Sequence, residues 1–194
     1  MNKFFRLATI AAVAAVAVQL TGCASISMSA PQPSIANTAK LRAANLAPAS
    51  VGTFKLAANV AARDDAAVNM RGSNSVAAPG GSFSQYLGET LKAELGAAGL
   101  LDAASATVIT GTLTQTELDA AIGTGKGKLG ARFVVTRGSA VQYDRELMVD
   151  AEWESSFMGA VAIPLAANNY EGLYRKLVTK LIDDAAFRSA LTKQ

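Results

Sequence analysis

Histidine is absent from this 194-residue sequence, and cysteine occurs only once, at position 23. Without histidine the chain has no Ser-His catalytic pair, no histidine general base and no histidine-ligated metal. A single cysteine allows neither an intramolecular disulfide nor a cysteine-rich zinc site. We therefore expect no enzymatic activity, no metal site and no cofactor, and an unrecognised serine hydrolase is the remaining alternative.

A strong charge of one sign is also missing. The net charge is +3, and two of the basic residues, Lys3 and Arg6, lie in the N-terminal leader. Without them, 16 basic residues stand against 15 acidic ones. A near-neutral chain without a basic cluster is not expected to bind nucleic acid. Hydrophobic residues, at 51%, are abundant enough for a globular core.

The first 22 residues have the pattern of a signal peptide. A basic start is followed by an uncharged apolar run of 14 residues, Leu7–Leu20. A run of this length is too short to span a bilayer and is typical of the core of a secretory leader. The run ends in Leu20-Thr21-Gly22-Cys23. An ordinary secretory leader with an incidental cysteine is one interpretation.

The segment Leu20-Thr21-Gly22-Cys23 resembles the lipobox of bacterial lipoproteins at all four positions. The resemblance implies that a diacylglyceryl group is joined to the Cys23 sulfur and that signal peptidase II cleaves after Gly22. It also implies that the new amino group receives an acyl chain such as palmitate. Two or three acyl chains anchor a protein stably in a membrane. By the sorting rule of enterobacterial lipoproteins, Ala24 implies the periplasmic face of the outer membrane, with the inner membrane as the alternative.

Beyond the leader, the chain divides into two predicted regions. Residues 23–48 are rich in Ser, Ala, Pro and Asn and show no lasting period, which predicts a lipidated N-terminus and a flexible tether. A short helix within Thr38–Leu46 is compatible with this region. Residues 49–194 are predicted to form a single α+β periplasmic domain.

Alternating and helical patterns in this domain predict the order strand, helix, three strands, helix. The predicted elements are strands at Val51–Leu56, Thr107–Thr116, Lys128–Thr136 and Val141–Trp153, a helix from Ser82 to Gly99, and a helix that starts after Pro164. They predict a two-layer α+β fold: a mainly antiparallel four-stranded sheet (β-α-β-β-β-α) with two helices packed on one face. Within residues 57–81 we expect only a short strand, near Ala67–Met70 or Ser75–Ala78.

The turn around Gly138 determines how the last two strands pair. A three-residue loop would place Arg132 opposite Asp144, and a five-residue loop would place it opposite Glu146. Both registers keep the apolar faces together, whereas a slip by one residue would invert a whole strand. In both registers we expect a positively charged side chain to lie opposite a negatively charged one on the solvent-exposed face of the sheet.

Two polar segments are interpreted as structural. Gly123–Lys128 (GTGKGK) has one residue too few between its glycines for a phosphate-binding loop, and a strand follows it where a helix should. We interpret it as a mobile hairpin loop. An acidic row could bind a cation or a basic partner, but it is also typical of a solvated sheet face. Its members are Asp144, Glu146, Asp150 and Glu152.

The connection between the last strand and the last helix is apolar without a clean period. This pattern is typical of core filling at the sheet edge, and the alternative is an apolar surface that docks a partner or a lipid. The candidate docking residues are Trp153, Phe157, Met158 and Val161.

The mature chain also resembles small periplasmic lipoproteins of Gram-negative bacteria that attach to envelope machines. Examples are the lipoprotein partner of the lipopolysaccharide-assembly pore and the auxiliary lipoproteins of ABC-type intermembrane lipid transport. The resemblance rests on the lipobox, on a sheet covered by two helices, and on Leu91-Lys92-Ala93-Glu94-Leu95 followed by Gly99-Leu100. It implies a non-enzymatic accessory protein that binds another envelope protein.

A second hypothesis is the binding of a lipid or a small apolar ligand in a groove between the helices and the sheet. An unfilled cavity behind Phe83, Leu87, Phe133 and Trp153 would favour it, whereas a filled core would favour the accessory protein.

Overall fold

The computed structural model describes residues 25–193. Seven strands lie in this part of the chain: β1 (Ser25–Ser27), β2 (Ser50–Leu56), β3 (Ala67–Arg71), β4 (Asn74–Ala77), β5 (Thr107–Asp119), β6 (Gly123–Arg137) and β7 (Ala140–Ser155). Five α-helices accompany them: α1 (Ile35–Ala43), α2 (Arg63–Ala66), α3 (Phe83–Ala98), α4 (Gly159–Asp183) and α5 (Ala185–Leu191).

The main sheet has four strands in the order β2-β5-β6-β7. β2 and β5 are parallel, whereas β5, β6 and β7 are antiparallel neighbours. The parallel pair needs a crossover, because the chain must return to the same end of the sheet, and α3 lies in that connection. Helix α3 packs on β2 and β5, and α4 packs on β6 and β7. The predicted α+β class and the order β-α-β-β-β-α are therefore confirmed.

Helix α3 forms as predicted. The Ser82 side chain accepts a hydrogen bond from the Gln85 N–H at 3.2 Å, which satisfies a backbone donor of the first turn. Gly99 ends the helix at φ 75°, a left-handed conformation that glycine adopts without a steric penalty. The apolar side chains on the stripe are fully buried: Phe83, Leu87, Leu91 and Leu95.

Helix α4 begins earlier than predicted. It starts at Gly159, so Pro164 lies inside the helix rather than before it. The proline forfeits one backbone hydrogen bond, to the Ala160 carbonyl, and a helix of 25 residues tolerates that loss near its start. One face of the helix is buried against the sheet: Tyr170, Leu173, Tyr174, Leu177, Val178 and Leu181.

The β6–β7 hairpin combines the two predicted registers. A bulge between Val135 and Thr136 leaves Arg132 opposite Glu146. The Arg132 guanidinium nevertheless donates diagonally to both carboxylate oxygens of Asp144, at 2.6 and 2.5 Å. The predicted contact between a cation and an anion is therefore confirmed. The strand pairing is that of the five-residue loop, whereas the ion pair is the one expected of the three-residue loop.

A second sheet, in the order β1-β4-β3, lies at one end of the main sheet. β3 and β4 form an antiparallel hairpin, and β1 pairs in parallel with β4. Both short strands that the sequence offered as alternatives are therefore present. The Ala120 N–H donates to the Met70 carbonyl at 3.1 Å, which joins this sheet to the chain just after β5.

The segment predicted as a tether is part of the folded domain from residue 25 onward, which corrects the boundary placed at residue 49. Strand β1 joins the second sheet, and α1 packs across α3 and α4 as an additional layer. Met28, Leu41 and Leu46 of this segment are buried. The sequence concealed this packing because three apolar anchors spread over some twenty residues produce no helical or strand period.

Candidate functional site

Cys23 and the lipobox residues Leu20, Thr21 and Gly22 lie outside the described residues. The described chain starts two positions after Cys23, at Ser25, which pairs with Ser75 of β4. Two residues span at most about 7 Å, even when fully extended.

A buried carboxyl group fastens the N-terminal segment to the helices. Glu94 of α3 is 0% exposed. Its oxygens accept hydrogen bonds from the Ser34 N–H, at 3.1 Å, and from the Asn37 side-chain amide, at 2.9 Å. The same amide nitrogen donates to the Thr179 hydroxyl of α4 at 2.9 Å. One polar cluster thus joins α1, α3 and α4.

Two further contacts show that the N-terminal segment runs alongside α4. The Ser29 N–H donates to the Glu171 carboxylate at 3.0 Å, and Lys40 pairs with Asp183 at 2.7 Å. As the chain advances from residue 29 to residue 40, its partners advance from residue 171 to residue 183. Between residues 29 and 40, the segment and the second half of α4 therefore run in the same direction.

That end of α4 carries an exposed apolar patch, which we define as Phe157, Met158, Val161 and Leu165. Their exposed fractions are 73%, 52%, 51% and 37%. Val161 and Leu165 are four residues apart on one helix, so they lie on the same face. Ile122, in the turn between β5 and β6, is 66% exposed and lies at the same end of the sheet, because its neighbour Gly123 pairs with Ser155.

Arg71 holds the loop that carries the patch. Its guanidinium donates to the Ser156 carbonyl at 3.0 Å and to the Phe157 carbonyl at 2.9 Å. Because Arg71 ends β3, these hydrogen bonds join the second sheet directly to the patch. The exposed side chains are thus presented by a loop with fixed backbone contacts.

Trp153, the fourth predicted docking residue, does not belong to the exposed patch. It is partly buried and packs against the core on the inner face of β7. Its indole ring lies over Gly125, which is directly opposite on β6, and a Cβ atom at Gly125 would overlap the ring. In the described part of the chain, the indole N–H is a buried donor without a hydrogen-bond partner. Docking at the three exposed candidates remains a prediction.

Gly123–Lys128 is a strand and not a mobile loop, which corrects the interpretation of this segment. It forms the start of β6 and pairs with both β5 and β7. The glycines serve packing, because Gly125 makes room for Trp153 and Gly127 lies under Leu173 of α4. Glycine-rich composition alone could not distinguish this role from a turn.

The acidic row on the open face of the sheet is largely paired. Asp144 binds Arg132, as described above, and Glu152 pairs with Lys126 at 3.0 Å. Glu146 accepts a hydrogen bond from the Thr114 hydroxyl at 2.6 Å. Within residues 25–193, no group of three acidic, cysteine or histidine side chains is arranged to hold a metal ion.

The space in which we considered a ligand is occupied by side chains. Phe83, Leu87 and Phe133 are fully buried. Phe83 packs edge-to-face on Tyr170 and stacks on Tyr174, at ring-centre distances of 5.3 and 6.0 Å. Burial raises the pKa of Tyr170 to about 12, against the lowering effect of its hydrogen bonds. These tyrosines therefore stay protonated and act as core residues.

Asp65, Ser82 and Ser84 form a cluster that could be mistaken for catalytic machinery. The Asp65 carboxylate accepts from the Ser84 N–H at 2.7 Å and from the Ser82 hydroxyl at 2.8 Å. Both serines lie at the start of α3, where backbone N–H groups need acceptors. The cluster is thus accounted for as a helix cap.

None of the helices within residues 25–193 combines the length and the apolar character needed to cross a membrane.

No protein-family model matches the sequence, and no curated protein sequence is significantly similar to it. Several solved structures have a similar fold. A Xanthomonas campestris protein of the DUF330 family aligns over 85% of this chain and 96% of its own, with a TM-score of 0.59 and 14% identity.

Two weaker similarities involve proteins with lipoprotein names. A Caulobacter crescentus protein, provisionally named a lipoprotein, aligns over 82% of this chain and 98% of its own, with a TM-score of 0.45 and 13% identity. A minor lipoprotein of Acinetobacter baumannii aligns over 76% and 97%, with a TM-score of 0.41 and 13% identity. The Xanthomonas structure shows that the fold is shared, and the other two are too distant to support an argument.

Proposed function

We propose that this protein is a lipid-anchored, non-enzymatic lipoprotein of the bacterial envelope that holds its α+β domain against a membrane surface. The observation that carries this proposal is the lipobox ending at Cys23, placed two residues before the first strand of the domain. The lipid supplies the membrane attachment, and the packed segment that follows Cys23 holds the domain close to it.

The proposed role is that of an accessory protein for another envelope component. Confinement to a surface raises the effective concentration of a domain near partners in the same membrane, without any new contact. The absence of histidine supports a non-enzymatic role, because it removes the commonest general base. The filled core favours this role over the binding of a ligand between helices and sheet.

Metabolic labelling with a clickable palmitate analogue tests the anchor. Wild-type protein and the control variant Ser25→Ala should incorporate the label and sediment with membranes. Cys23→Ser should not incorporate it, because the acceptor sulfur is gone. Equal labelling of Cys23→Ser would contradict lipidation at this residue.

The choice of membrane has its own test. Ala24→Asp should move the protein from outer-membrane to inner-membrane fractions of a density gradient, since aspartate after the lipidated cysteine is the retention signal of enterobacterial sorting. An unchanged distribution would remove the argument for the outer membrane.

In-cell crosslinking followed by mass spectrometry tests the accessory role. A stoichiometric envelope protein should be recovered with the wild-type lipoprotein, and its crosslinked peptides would locate the interface. Recovery of the lipoprotein alone would count against the role.

A further inference from the structure

The exposed apolar patch has the composition of a surface that contacts lipid. Its side chains belong to a stretch from Ser155 to Tyr170 that contains no charged residue. Phe157 and Met158 leave β7 in a loop, and Val161 and Leu165 continue on the first turns of α4. Apolar side chains that share one surface mark an interaction site rather than ordinary surface.

The patch lies at the end of the domain where the N-terminus emerges. Ser25 pairs with Ser75, and the turn that precedes β4 follows Arg71, whose guanidinium contacts the backbone of Phe157. The Ser29 N–H contacts Glu171 at the middle of α4, so the segment that follows Ser25 lies beside the same helix.

We propose that the apolar patch inserts into the interface of the same bilayer that holds the Cys23 lipid. This inference rests on the lipidation proposed for Cys23. Only Ala24 separates Cys23 from Ser25, so a lipid on Cys23 would enter the membrane at the end of the domain where Ser25 lies. Exposed apolar side chains gain free energy by entering the boundary between headgroups and acyl chains.

The two contacts together determine how the domain stands on the membrane. A lipid alone allows the domain to rotate, whereas a lipid and an adjacent patch fix the end that faces the bilayer. The turn at Ser139 lies at the opposite end of β6, and the 15 residues from Gly123 to Arg137 span roughly 45 Å. Ser139 should therefore stand in the aqueous phase, far from the lipid.

The test uses mature lipidated protein in vesicles of phosphatidylethanolamine and phosphatidylglycerol. Met158→Cys and the control Ser139→Cys each introduce one thiol for a fluorescent label, since the sulfur of Cys23 is consumed by the lipid. The label at position 158 should be quenched by spin-labelled lipid and shielded several-fold from an aqueous quencher, and the label at position 139 should show the reverse. Equal aqueous quenching at both positions would overturn the inference.

The mass of each purified variant separates the two failures. If the protein carries no lipid, the proposed anchor fails. If it is lipidated but the label at position 158 is exposed on vesicles, only the membrane contact fails. Shielding that appears only after an envelope protein is added would also overturn the inference, because the occupant would then be a protein.

A second measurement avoids the label. Phe157→Ser combined with Val161→Ser should keep the melting temperature of the wild-type protein, since both side chains are exposed. The domain should then become several-fold more susceptible to proteolysis near residue 157 on vesicles. Unchanged protection of that site would contradict the inserted patch.

Discussion

Replacement of Glu94 by alanine should detach the N-terminal segment from the domain. The substitution removes the acceptor of the Ser34 N–H and of the Asn37 amide, which are held at 3.1 and 2.9 Å. A buried donor left unsatisfied costs about 1–3 kcal/mol. The Asn37 amide is buried and the Ser34 N–H is partly buried, so we expect a loss of roughly 2–4 kcal/mol in the free energy of unfolding, reduced if the segment opens and water replaces the carboxyl group.

Urea unfolding and hydrogen exchange of residues 25–48 measure this effect. Glu89→Ala is the matched control, because Glu89 lies on the same helix but makes only a surface ion pair with Lys92. Such a pair contributes about 0–1 kcal/mol. The Glu94 variant should lose stability and exchange its N-terminal amides faster, while the core strands keep their protection. If both variants behaved alike, the segment would not depend on this cluster, and the reasoning from its buried hydrogen bonds would be wrong.

Other predictions concern the sheet and the pH dependence of stability. Gly125→Ala should lower the free energy of unfolding by about 1–3 kcal/mol in chemical denaturation, because the new methyl group overlaps the indole ring of Trp153. The double variant Gly125→Ala, Trp153→Ala should lose less stability than the sum of the losses of the two single variants. Strictly additive losses would contradict the contact between these residues. Burial raises the pKa of the Asp184 carboxyl, but hydrogen bonds from the Ala186 N–H and from Tyr143, together with a nearby arginine, outweigh it and leave that pKa below its usual value. A carboxyl group whose pKa is lower in the folded than in the unfolded chain stabilises the folded state at a pH above its unfolded pKa of about 4. This stabilisation is lost as the pH falls through the pKa of the folded state. Unfolding of Asp184→Asn should accordingly show its largest deficit near neutral pH and a smaller one below about pH 4, whereas a deficit constant with pH would argue against the shifted carboxyl.

Elements with a local period could be predicted from the sequence. The stripe from Phe83 to Leu95 and the alternation in β6 and β7 describe one face of an element, and that information lies within a few neighbouring residues. The stripe of α3 and the apolar face of β6 are buried, whereas in β7 Tyr143 and Val149 are buried and Val141 is 60% exposed.

Features held by distant partners could not be predicted in this way. The Ser34 N–H in the segment after Cys23 donates to the carboxylate of Glu94, which is 60 positions later in the sequence. No local sequence pattern predicts such a contact. Gly125 appears as a turn residue until Trp153 is placed opposite it. Similarly, composition identified Phe157 as a docking candidate, but only the fold shows that it is exposed beside the N-terminus while Trp153 is not.

The position of the anchor changes the expected behaviour of the protein on the membrane. A flexible tether over residues 23–48 would let the domain sample a large volume above the bilayer. Because residues 25–48 are packed, a lipid on Cys23 would instead keep the domain at the membrane surface. A partner would therefore be met at a defined height above the membrane.

The intact mass of the protein purified from membranes decides whether Cys23 carries a lipid. We expect a chain that starts at Cys23 and carries a diacylglyceryl group, with a further acyl chain on its amino group. A chain that starts at another residue, or an unmodified Cys23, would contradict the lipid anchor and with it the membrane-facing orientation of the domain.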